Sequence, residues 1–160
     1  MVMQVICIGN RGSDLPELVL SVSGNFKSTK FQLTVDGTYA VYAMAISRGN
    51  VMLLVLNDNV RPTWTHVELF HFTDAALPSD WSFARREEGI FGISALWGYR
   101  SMIENPSHND DLMERERRAW RDFLADNERA SREGPDQEKI RMLSEAFNSG
   151  RTFSTPPNAI

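Results

Sequence analysis

An α+β fold is the class this chain predicts, on three observations. Strand-like apolar runs separated by turn formers crowd residues 1–88. Charged stretches with helical periodicity take over in residues 89–150. With 160 residues, 42% of them hydrophobic, the chain can bury one ordinary core. The expected architecture is a small β-domain of about five strands over residues 1–88. Two or three C-terminal helices over residues 89–150 follow, packed on it or projecting from it. Residues 151–160, "RTFSTPPNAI", read as a flexible tail.

The first run, "VMQVICI", is apolar and contains β-branched residues, and "GNRGSD" after it is a cluster of turn formers. The excursion "LPELVLSVSGNFKSTKFQL" carries either a short helix or a strand. "TVDGTYAVYAMAI" and "NVMLLVLND" are strand-like and joined by "SRGN", a glycine-containing loop suited to a hairpin. "PTWTHVELFHF" follows, with Pro62 expected at the first residue of a strand or on a sheet edge because proline has no N–H to give a ladder. "DWSFARR" is the last strand candidate. Strand parity within "WTHVELF" puts Trp64, His66 and Glu68 on one face and Val67 and Leu69 on the other, which is taken as the core face. Phe70 and Phe72 have the wrong parity to continue that face, so a bend or helical turn is expected near "ELF".

In the second half, "SALWGYRSMIEN" predicts a helix of about three turns ending before Pro106. Trp97, with Leu96, Tyr99 and Met102, is expected to pack it on the β-domain. A long helix should run from Ser107, as N-cap, to Glu133, with Asp110 and Asp111 in its first turn and Trp120 as its anchor. Asp111–Arg115, Glu114–Arg118 and Glu128–Arg132 are spaced for i,i+4 pairs along it. "GPD" breaks the pattern; Asp136 then starts a final helix with Ile140, Leu143 and Phe147 on one face, ended by Gly150.

The order "CIGN" (Cys7 to Asn10), "LTVDGTYAV" (Leu33 to Val41), "ND" (Asn57 and Asp58) and "WTHVELF" (Trp64 to Phe70) resembles a pattern in small bacterial and phage-encoded proteins with a Src-homology-three-like barrel. The resemblance covers residues 3–84, departing from the family's Cys-Ile-Asp-Asn motif at Gly9 and in the long excursion. It implies that the small β-domain of residues 1–88 is a Src-homology-three-like β-barrel. For function it implies kinship with proteins some of which resemble toxin-immunity or accessory factors, whose fold alone does not specify a chemistry.

The chemistry is read by elimination. One cysteine, Cys7, can form no internal disulfide or cysteine-based zinc site and reads as a small buried hydrophobe. No HExxH, GxSxG or phosphate-loop pattern is present, so no catalytic, metal or cofactor residues are assigned and no cofactor is expected. No run of about 18 apolar residues calls for a membrane span, and the start of the chain does not read as a signal peptide, so a bacterial cytoplasmic location is expected. A net charge of -4 gives no chain-wide basic field for nucleic acid. The leading expectation is therefore a non-enzymatic module that binds and occludes a protein partner, such as a basic toxin. Its candidate contacts are Asp58, Trp64, His66, Glu68 and Trp81. Arg117, Arg118 and Arg121, set around Trp120, complete the set and are also the residues a nucleic-acid-associated regulator would use, together with the barrel loops. A third reading, an enzyme of unrecognised class, centres on Asp58, His66 and Glu68.

Overall fold

The computed structural model describes residues 2–87 and 92–150; the expected tail 151–160 and the expected domain boundary at 88 and 89 lie outside them. Eight strands run in chain order: β1 Gln4–Cys7, β2 Thr38–Ala40, β3 Ala43–Ser47, β4 Asn50–Leu56, β5 Pro62–His66, β6 Phe70–Asp74, β7 Ser82–Arg85 and β8 Ile93–Gly98. They form two antiparallel sheets, β2-β1-β6 and β5-β4-β3-β8-β7. The expected single barrel is thus replaced, among the described residues, by two open sheets. The cause is visible at Val41 and Tyr42: the first N–H bonds Met3 O across the small sheet and the second bonds Leu54 O across the large one. The run "TYAVYAMAI" therefore feeds both sheets.

β4 explains how the layers stack. Leu53 and Val55 point into a core shared with Val5, Cys7, Tyr39 and Leu69 of the small-sheet side, whereas Leu54 and Leu56 point into a core shared with Trp120, Phe123, Ile140 and Leu143. Leu53 to Leu56, buried on both faces, leave no polar position to spare, which is why "LLVL" is continuous rather than alternating. The large sheet is the middle layer between the small sheet and the helices.

The hairpin of β3 and β4 turns at Arg48 and Gly49, with φ of 51° and 79°, a two-residue connection of the kind whose twist suits paired strands. Pro62 opens β5, and β5 is an edge strand, both as expected. The bend near "ELF" is a 3₁₀ turn, Val67–Leu69, that passes the chain from the large sheet to the small one. Within the excursion, α1 spans Glu17–Ser23 and ends on Gly24. Cys7 is fully buried, its thiol donating to Gly9 O at 3.1 Å, and burial pushes its pKa up.

The helical half departs from expectation twice. Residues 94–98 of the predicted first helix belong to β8, an inner strand that pairs with both β3 and β7. Trp97 consequently stacks on Phe83, ring centroids 5.0 Å apart, rather than docking a helix. Only α2, Arg100–Glu104, is helical there. The long helix is in fact three: α3 His108–Met113, α4 Arg117–Asp126 and α5 Glu128–Glu133. Arg115, at φ 65°, ends α3: its N–H bonds Leu112 O while that of Glu116 reaches back to Asp111 O, the paired bonds of a Schellman stop. Glu114 and Arg118 thereby fall outside any common helix, while Glu128 and Arg132 do pair within α5. The last helix, α6 Gln137–Asn148, starts at Asp136 as expected and buries Ile140 and Leu143. No helix among the described residues is long and apolar enough to cross a membrane.

Candidate functional site

The helices cover only part of the large sheet. At one end Trp64 is roofed by α3, its indole Nε1 donating to Asn109 Oδ1 at 2.7 Å. Beyond it, Ala45, Met52 and His66 stand side by side in register across β3, β4 and β5, and Ser47 and Asn50 form the next row. These residues line a cleft of about 390 Å³, walled by Trp64, Phe31 and Ile93, with Val22, Ser23 and Asn25 from α1 and its exit and Arg48 from the hairpin turn. The volume lies in the range of roughly 300–1,000 Å³ usual for small-ligand pockets.

His66 is a buried polar side chain in the wall of this cleft. It is only 6% exposed, correcting the expectation of an outward row. Parity put it correctly on the face of Trp64, but the excursion folds over that face and Phe31 meets the imidazole edge-on at 6.4 Å. Its Nδ1 is buried with no hydrogen-bond partner, and so is Oε2 of Glu68 on the following 3₁₀ turn. Burial pushes the imidazole pKa below its ordinary value, against the attraction of the Glu68 carboxylate, so the ring is uncharged at neutral pH.

The other expected contact residues are dispersed. Asp58 is spent on the fold: its carboxylate accepts from Tyr39 OH at 2.6 Å and Thr34 Oγ1 at 2.8 Å. Lys139 of α6 lies over the Tyr39 ring at 4.3 Å, donates to Leu56 O and pairs with Asp136, which accepts from Tyr42 OH at 2.8 Å. Asp58 thus belongs to a chain of polar contacts that ties α6 to both sheets. Neither Asp58 nor Glu68 lines the cleft. Trp81 is half-buried against the small-sheet core, beside Asn127 and Arg129. Arg117 stacks over the Phe147 ring at 4.5 Å and donates to Phe147 O, joining α4 to α6. Arg118 and Arg121 are exposed, and Trp120 beneath them is buried. Among the described residues no group of three His, Cys, Asp or Glu side chains is placed to hold a metal ion.

Phe31, Met52, Arg48 and Ile93 are cleft residues that sequence reasoning did not single out. Met52 had a usable signal, since hairpin register through "SRGN" pairs it with Ala45; Phe31 had none, because nothing local tells where a long excursion lands. No protein-family model, characterised protein or solved structure matches this chain.

Proposed function

We propose that the protein is a cytoplasmic, non-enzymatic binding module, an accessory or immunity-type factor that occludes a basic protein partner such as a toxin. The observation that supports this reading is the apolar face of the excursion. Leu18 is 79% exposed, Phe26 75% and Val22 43%, while Leu15 and Val19 of the same segment are buried and anchor it. Large apolar side chains clustered on a held segment are the usual mark of a protein-docking surface. The net charge of -4 favours a basic partner through steering of the encounter.

Co-expression with the product of the neighbouring gene tests it. A stable complex, or rescue of growth from that product, is the expected result. The Leu18→Asp, Phe26→Asp double variant should keep its circular dichroism and weaken the complex by about 100-fold or more, as loss of two anchors does. No complex and no rescue would end the reading; undiminished binding by the double variant would remove this face from it.

The nucleic-acid reading draws on the exposure of Arg118 and Arg121, but Arg117 is committed to Phe147. Salt-dependent binding to a DNA duplex that declines on replacing Arg118 and Arg121 would favour it over the protein partner.

A further inference from the structure

We propose that the cleft over Ala45, Met52 and His66 is a binding site for a small aromatic or aliphatic carboxylate. The cleft shares Val22 with the protein-docking face but does not rest on the role proposed for that face.

Three features of the cleft select that chemistry. Its walls are apolar and partly aromatic: Phe31, Met52, Trp64 and Ile93 would take a flat or branched hydrocarbon body. Its charge is one-sided. Among the described residues Arg48 is the cation in the lining, no Asp or Glu lines the cleft, and Arg48 has no ion-pair partner. A single guanidinium presents a planar fork that matches the two oxygens of a carboxylate; a phosphate would call for more cationic donors than the lining holds. The third feature is His66. This ring, 94% buried, lines the cleft, while its unpartnered Nδ1 is enclosed by protein. An uncharged imidazole in a cleft wall can give or accept one hydrogen bond without repelling either an anion or a neutral group.

The occupant would lay its hydrocarbon part between Trp64, Phe31 and Met52 and its carboxylate toward Arg48. Asn25 and Asn50 are also in the lining and carry neutral donors. The cleft volume of about 390 Å³ accommodates a molecule of phenylacetate size.

The test uses the whole chain and three probes of one shape: phenylacetate, phenylacetamide and 2-phenylethylammonium. Binding is followed by the imidazole ¹⁵N signals of His66 and the indole N–H signal of Trp64. Phenylacetate should give saturable, submillimolar shifts of both signals, with phenylacetamide about tenfold weaker and the ammonium weaker still. Arg48→Asn, which suits the left-handed backbone of the turn, should weaken phenylacetate about tenfold and leave phenylacetamide unchanged. Absence of saturable shifts at His66 and Trp64 with phenylacetate overturns the site. Equal binding of the anion and the ammonium, or a preference for the anion that survives Arg48→Asn, overturns the assignment of the carboxylate to Arg48.

Discussion

Buried ionisable side chains carry the most specific expectations at the scale of the residue. His66 and His108 are both held below their ordinary pKa by burial, His66 against Glu68 and His108 against Asp122, Asp126 and Asp111; Nε2 of His108 also meets Tyr99 OH at 2.7 Å. The folded protein therefore binds their protons less readily than the unfolded chain does. The stability they permit is complete above about pH 6.5 and is lost as pH falls below that value toward the folded pKa values. Urea midpoints measured from about pH 8 down to about pH 5 should fall, and His66→Leu should flatten part of the fall; a level profile would show that these rings are not buried and neutral. Asp136 behaves in the opposite sense, since burial raises its pKa and works against its ionised form. Asp136→Ala strands the buried Tyr42 hydroxyl and should cost about 2–3 kcal/mol in chemical denaturation. Asp136→Asn should cost less, because the amide oxygen still accepts from Tyr42, although Lys139 loses its carboxylate partner.

At the scale of the element, two connections set the geometry around the cleft. The β3–β4 hairpin needs left-handed backbone at Gly49, where a Cβ would meet nothing within 4 Å. Gly49→Val should therefore destabilise through the backbone alone, by about 1–2 kcal/mol, with the slope of the denaturation curve unchanged. The excursion is pinned at Gly12, whose N–H bonds Thr29 O at 2.8 Å and whose added Cβ would lie 1.8 Å from Phe26 O. Gly12→Ala must push the loop carrying Phe26 outward. Limited proteolysis should then cut between residues 17 and 29 in the variant and not in the parent, with the remaining amide signals in place.

At the scale of the molecule, the large sheet makes one unit of both halves of the chain. β8 lies between β3 and β7, so a fragment of residues 1–88 loses the sheet partner that β7 has among the described residues and exposes one edge of β3. It also strips the helices from Ala43, Ala45, Leu54 and Leu56. That fragment should give a poorly dispersed NMR spectrum, whereas a self-sufficient N-terminal domain would give a dispersed one. The same dependence gives Phe123 its weight. It is fully buried, with Tyr42 at 5.0 Å and Tyr99 at 5.7 Å between ring centroids, and Phe123→Ala should cost about 3–5 kcal/mol in chemical denaturation.

What the sequence determined by itself was local chemistry with one strong preference. "SRGN" makes a hairpin because Gly49 takes the second left-handed position of the turn at no steric cost. Pro62 lies on an edge because it cannot donate, the parity clash in "ELF" bends the chain, and "GPD" separates two helices. Where two periodicities were compatible, only the tertiary structure decided. "SALWG" is a strand because β3 and β7 offer it two ladders, and "PSHNDDLMERERRAW" breaks at Arg115, a residue type that does not ordinarily end a helix. His66 shared the parity of Trp64 in the sequence and in the structure, but parity names a face and not its neighbours. Whether that face meets water or Phe31 depends on where twenty residues of excursion come to rest, and the long-range contacts of Leu15 and Val19 settle that.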